Sequence, residues 1–166
     1  MLLCRSETSG SAIGPPVAAR PREIHAPEAL RVLLIEDERE AAGLVLVHLT
    51  GRREDGFQVE WIPDLLDAMF RLQHAGVDVV LLDLGLPERD GDKSFRAIQG
   101  MTEGKIPIVI LTADDRPGPR ELILASGAAG YLSKQQVSGL ELRLALRSAV
   151  LRFRPKTGDL PAALPE

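Results

Sequence analysis

Three carboxylates, a hydroxyl and an amine each stand at the end of an apolar run of strand length. Glu36 and Asp37 follow LRVLLI, Asp83 follows VVLL, Thr112 closes IPIVILT and Lys134 follows AGYLS. If those runs are parallel strands of one sheet, all five groups meet at its carboxyl edge, where open α/β sheets bind their ligands. Two carboxylates about 4 Å apart repel by roughly 4 kcal/mol even at an effective dielectric of 20, so such a cluster needs a cation. Oxygen donors with no His or Cys beside them point to a hard ion. A partly hydrated, octahedral Mg2+ that also holds a phosphoryl oxygen is the natural candidate. Taken singly, each residue has an ordinary use: Asp37 would serve near a helix start, and Asp83 in VVLLDLGLP would do as a strand-ending cap. Their joint placement at the ends of four strands favours chemistry.

The elements that must position these groups are legible from Leu30 onward. Apolar runs occur at LRVLLI, FQVEWI, VDVVLLDL, IPIVILT and AGYLS, with helix-compatible segments between them, which predicts five strands alternating with five helices. The first, third and fourth runs are nearly continuous in Val, Ile and Leu, as expected of strands covered by helices on both faces. Crossovers of this length favour a parallel sheet with right-handed connections, that is, a doubly wound α/β fold. Residues 1–29 mix Pro, Gly, Ser and Ala without a period and are expected to form a flexible extension. Residues 155–166 read as a flexible tail, which leaves 30–154 as the folded unit.

Composition narrows the function classes. The chain has 166 residues, enough for one domain with a sizeable core and short for two. A net charge of −4 and a pI near 5.5 provide no long-range attraction for nucleic acid or an acidic membrane surface. One cysteine, Cys4, rules out an internal disulfide, and no apolar run is long enough to span a bilayer, so a cytoplasmic location is expected. Neither GxGxxG nor GxxxxGK[ST] is present, and GAAG at 127–130 precedes a strand rather than a helix, which speaks against a nucleotide cofactor. His25, His48 and His74 are scattered and read as surface residues.

The segments RVLLIEDE, DVVLLDLGLPERDG, IPIVILTADD and GAAGYLSK, in that order and at fitting separations over about residues 30–153, resemble the receiver domain of two-component response regulators. The resemblance implies the flavodoxin-like (βα)5 fold with strand order 2-1-3-4-5. It implies that Asp83 is a phosphoacceptor that attacks the phosphorus of a phosphohistidine on a histidine kinase or phosphotransfer protein, or of a small acyl phosphate. Asp37 and Asp83 would give side-chain oxygens to Mg2+, Gly85 its backbone carbonyl, and Glu36 a contact through water. Thr112 would hydrogen-bond a phosphoryl oxygen, and Lys134 would pair with the phosphoryl group. Tyr131 would turn into space that Thr112 vacates, shifting the surface formed by the fourth helix, fifth strand and fifth helix. The protein would then be no separate enzyme but a phosphoacceptor that assists its own phosphorylation and dephosphorylation.

Departures from the family pattern bear on the output. Gln135 follows Lys134 where many receivers have proline, and the run KQQVSGL is similar to receivers that precede diguanylate cyclase or hybrid kinase modules. Pro117 and Pro119 fall where the fourth helix should begin, which predicts a short, late helix on a mobile face. In the fifth helix Val137, Leu140, Leu144 and Leu151 form one stripe, and Leu142, Leu146, Ala149 and Phe153 form another nearly opposite. The second is expected either to meet a partner subunit or an output element or to be buried under neighbouring loops. Arg143, Arg147, Arg152, Arg154 and Lys156 lie among leucines, and PKTGDLPAALPE cannot supply a helix-turn-helix, so direct nucleic-acid contact is not expected. Two rivals stand beside the receiver reading. A phosphohydrolase of the haloacid dehalogenase type would want a second Asp where Gly85 stands, and a phosphate-independent interaction module would need none of the acidic residues.

Overall fold

The computed structural model describes residues 29–51, 56–87, 90–114 and 117–153. The expected terminal extension and tail therefore lie outside the described residues, Ala29 excepted. Strands and helices alternate along the chain as β1 (Leu30–Ile35), α1 (Arg39–Thr50), β2 (Phe57–Ile62), α2 (Leu65–Arg71) and β3 (Val79–Leu82). They continue as α3 (Gly91–Met101), β4 (Ile108–Thr112), α4 (Pro117–Ala125), β5 (Gly130–Ser133) and α5 (Gly139–Arg152). The strands pair in parallel in the order β2-β1-β3-β4-β5, the doubly wound topology expected.

Side chains alternate across a strand with a period of two, and that period divides the core. Leu33, Ile35, Val80, Leu82, Ile108 and Ile110 face α2, α3 and α4, where they meet Leu65, Phe95, Ile98 and Ile123. Val32, Leu34, Val79, Leu81, Val109 and Leu111 face the other way, against Ala42, Val45 and Leu49 of α1 and Leu142, Leu146 and Ala149 of α5. Apolar residues on both faces explain why β1, β3 and β4 read as continuous runs. β2 and β5, at the edges, are only partly buried.

Local signals set the helix ends. Asp64 caps α2 by accepting from Asp67 N at 2.9 Å. Ser138 and Glu141 close a capping box at α5, with Ser138 N donating to Glu141 Oε2 at 2.8 Å and Glu141 N to Ser138 Oγ at 3.2 Å. Helix α4 starts at Pro117 and runs nine residues. Both prolines thus fall in the first turn, where the backbone N–H has no partner within the helix and its loss costs little.

The fifth helix corrects one expectation. The stripe assigned to a partner, Leu142, Leu146 and Ala149, is the one buried on the sheet, while Leu140, Leu144 and Leu151 are exposed. Two stripes of equal apolar content do not say which one faces inward; the neighbouring strands and α1 decide that. Arg143, whose Nη1 donates to the His48 carbonyl of α1 at 2.7 Å, and Arg147, stacked 4.8 Å from the Phe57 ring centroid, fix the rotation of the helix. Among the described residues no helix is long and apolar enough to cross a membrane.

Candidate functional site

In this topology the strand order reverses between β1 and β3, and the crevice at their carboxyl ends is where such sheets take ligands. The register brings the chemistry together there. Ile35 pairs with Leu82, so the next residues, Glu36 and Asp83, leave the sheet side by side, and Asp83 N still donates to the Ile35 carbonyl at 3.0 Å. Thr112 pairs with Ser133, which puts Lys134 one step beyond, its N–H on the Thr112 carbonyl at 2.8 Å. The crevice has a volume of about 850 Å³ and is lined by all seven residues singled out from the sequence: Glu36, Asp37, Asp83, Gly85, Thr112, Tyr131 and Lys134.

The carboxylates are close. Each of Glu36, Asp37 and Asp83 has an oxygen within 4.8 Å of the others. Glu36 is fully buried, Asp83 is 5% exposed, and Asp37 is open to solvent. Asp37 does not cap α1, whose N-cap is Glu38 with no side-chain cap bond, so the capping reading of that residue does not hold. Lys134 Nζ donates to Asp83 Oδ2 at 2.9 Å and stands 2.5 Å from Glu36 Oε2 as an ion pair. The ammonium is thus shared between the two buried carboxylates, and no other group reaches Glu36 Oε2 among the described residues. Asp83 Oδ1 accepts from Gly85 N at 3.0 Å, and Glu36 Oε1 from Glu38 N at 3.2 Å.

These surroundings act on the charges. Burial pushes the Glu36 carboxyl above its ordinary value; the Asp83 charge adds to the rise, and the Lys134 ammonium opposes it. Burial alone would lower the Lys134 ammonium, but Glu36 and Asp83 together outweigh it and hold the amine above its usual range. One ammonium against three carboxylates leaves the cluster short of two positive charges. A divalent cation supplies that deficit. The donor set is all oxygen, so these residues fit Mg2+ better than a softer ion.

Thr112 and Tyr131 lie on the α4 side of the crevice. The Thr112 hydroxyl accepts from Asp114 N at 3.2 Å, and Tyr131, 9% exposed, donates its phenol to the Asp114 carbonyl at 3.1 Å. The Arg120 guanidinium covers the Tyr131 ring, 5.7 Å from its centroid. The sequence reading passed over other residues that line the crevice, among them Glu38, Asp90, Gly91 and Asp92. The signal of the last three was the acidic ERDGD run leading into a helix, which also describes an ordinary turn. His48 and His74 are exposed and line no part of the crevice; His25 lies outside the described residues.

Comparison with known proteins bears on the family and the fold. The family model of the response regulator receiver domain matches residues 32–147. The transcriptional regulatory protein QseB of Haemophilus influenzae is 37% identical over 105 residues, which cover 63% of this chain and 46% of that protein. The chain thus spans about half the length of the curated relatives it matches. Among solved structures, the receiver domain of a sensor histidine kinase from Pseudomonas aeruginosa, with a magnesium ion coordinated in its active site cleft, superposes with a TM-score of 0.63 at 27% identity, covering 74% of this chain and 98% of that one. The N-terminal domain of a response regulator/sensory box/GGDEF three-domain protein from Carboxydothermus hydrogenoformans gives a TM-score of 0.61 at 28% identity, over 73% and 94% of the two chains.

Proposed function

The chain belongs to the response regulator receiver domain family, and on that premise we propose that Asp83 accepts a phosphoryl group from a phosphohistidine of a histidine kinase or phosphotransfer protein. The observation that carries the reading is Asp83 at the end of β3, flanked by two more carboxylates and hydrogen-bonded by Lys134 at 2.9 Å. A carboxylate oxygen of Asp83 forms the new O–P bond as the N–P bond of the donor breaks, and the departing imidazole keeps its electron pair and takes a proton. Asp37, Asp83 and the Gly85 carbonyl would hold Mg2+, with Glu36 reaching it through water, and the ion would supply charge neutralisation. Lys134 pairs with the phosphoryl oxygens, and Thr112 donates its hydroxyl to one of them. As Thr112 moves toward the phosphoryl group, Tyr131 turns inward from its bond to Asp114. The result is a population shift of the α4-β5-α5 surface. The chain acts as its own substrate in this cycle and turns over no other.

We place the receiver at residues 30–154 in the cytoplasm, and its output on a partner, a second copy or an attached domain that reads α5. The name of the Haemophilus relative favours transcription as the process controlled, and the three-domain neighbour favours a GGDEF output. The expectation of no direct nucleic-acid contact is accordingly confined to the receiver itself. The test is incubation with Mg2+ and acetyl phosphate, or with beryllofluoride, followed by mass spectrometry or binding measurement. Wild type is expected to gain one phosphoryl group and to bind one beryllofluoride, and Asp83→Asn neither. A gain that persists in Asp83→Asn, or none in wild type, overturns the reading.

A further inference from the structure

The acidic pair Glu36 and Asp37 sits on a loop that begins where the sheet ends, and its direction depends on what holds that backbone. Glu36 N–H donates to the Ile62 carbonyl at 3.3 Å, a last, long bond of the β1–β2 ladder. The Glu36 carbonyl has a different partner: the indole Nε1–H of Trp61 donates to it at 2.7 Å. Trp61 pairs with Leu34 in the sheet register, and its ring packs against the core on the α1 and α5 side. The indole therefore belongs to the rigid body of the domain, while the carbonyl it holds belongs to the loop.

That carbonyl lies in the peptide joining Glu36 to Asp37. A peptide unit is planar, so fixing its oxygen also fixes the N–H and Cα of the residue that follows. One hydrogen bond thus fixes the peptide from which both acidic side chains leave, beside Asp83 at the end of the neighbouring strand. Ordinary satisfaction of a partly buried indole explains why the N–H has a partner; it does not explain why that partner is the peptide between two carboxylates of the site. We infer that Trp61 is a positioning residue of the acidic site, holding the Glu36–Asp37 peptide so that the carboxylates present a preformed set of oxygens to a divalent cation. The inference rests on the metal-assisted reading given above.

The chain has a single tryptophan, which gives the inference its own optical readout. The experiment titrates the full chain with Mg2+ alone, following heat of binding in wild type and Trp61→Phe, and tryptophan emission in wild type and Asp37→Asn. Phe keeps an aromatic ring in the core and removes the donor. Trp61→Phe is expected to bind Mg2+ about tenfold more weakly, as is typical when a partner of a metal-binding group is lost. Wild-type emission is expected to change with the same half-saturation as the heat signal, and Asp37→Asn to lose the change. Unaltered Mg2+ affinity in Trp61→Phe overturns the inference while leaving the metal site in place. If Trp61→Phe does not fold, wild-type emission decides: a change that tracks binding supports the inference, and emission indifferent to bound Mg2+ overturns it. Absence of Mg2+ binding by wild type overturns the metal-assisted reading, and this inference with it.

Discussion

A Cβ added to Gly91 would stand 2.7 Å from Leu84 Cβ and 3.1 Å from the Leu84 carbonyl oxygen. Neither atom is the free end of a flexible side chain, so the β3–α3 loop would have to move. Leu84 lies between Asp83 and Gly85, and its displacement reaches the site directly. Two effects oppose each other in Gly91→Ala. Replacing glycine by alanine favours a helix by up to about 1 kcal/mol in its interior and by less at its first residue, where Gly91 stands. Overpacking costs typically about 1–3 kcal/mol, so the net effect is a loss of stability of about 1–2 kcal/mol, read from urea unfolding, together with weaker Mg2+ binding. A Cβ on Gly85 would come no closer than 3.2 Å, to Oδ2 of the Asp83 carboxylate, a side-chain atom rather than backbone. The family resemblance marked Gly85 and left Gly91 without a role, because a DG pair before a helix has the same appearance whether or not another backbone crowds it.

Elements were legible in proportion to how far local pattern alone determines them. LRVLLI and FQVEWI are the strands β1 and β2 residue for residue, since a buried or half-buried strand must carry its own apolar side chains. The run VDVVLLDL overestimates β3, which keeps only Val79–Leu82: Asp78 is drawn out of the strand by Arg31, and Asp83 is drawn into the site by Lys134. Helix α5 shows where local pattern runs out. Its two leucine stripes are equivalent in sequence, and the tertiary contacts of Arg143 and Arg147 choose between them. Two substitutions check the choice. Leu146, fully buried, becomes an unpaired internal carboxyl in Leu146→Glu, which is expected to cost at least about 3 kcal/mol in urea unfolding. Leu144 is 55% exposed, and Leu144→Glu is expected to change stability by no more than about 0.5 kcal/mol. Equal destabilisation by the two would contradict the observed rotation of the helix.

Across the whole molecule the two edges of the sheet carry opposite electrostatics. At the carboxyl edge three carboxylates crowd one ammonium, and the buried Glu36 is held in an environment that disfavours its charge. At the amino edge two arginines among the described residues are paired with carboxylates. The Arg31 guanidinium grips Asp78 through Nε at 3.0 Å and Nη2 at 2.8 Å, its backbone N–H adds a third bond at 2.8 Å, and Arg71 pairs with Glu60 at 2.8 Å. The Arg31–Asp78 contact joins residues 47 apart and so ties the start of β1 to the approach to β3. Hydrogen bonds from the Arg31 side chain hold the Asp78 carboxyl below its ordinary value, against a smaller opposing effect of burial. The folded chain therefore binds a proton at Asp78 less readily than the unfolded chain does. Its stabilising contribution is complete above the unfolded-chain value and disappears as pH falls through the folded value. Glu36, shifted upward, behaves the other way: its cost is present at neutral pH and is relieved on acidification. Asp78→Asn is expected to lower stability at pH 7 by about 1 kcal/mol, since the pair is only partly shielded from water. The difference from wild type is expected to narrow as pH falls below the ordinary carboxylate range, with Mg2+ affinity at neutral pH unchanged. Urea unfolding of both proteins at a series of pH values, with a Mg2+ titration at pH 7, measures both. A gap that persists into acid, or an altered Mg2+ affinity, would mean that the two edges do not act independently.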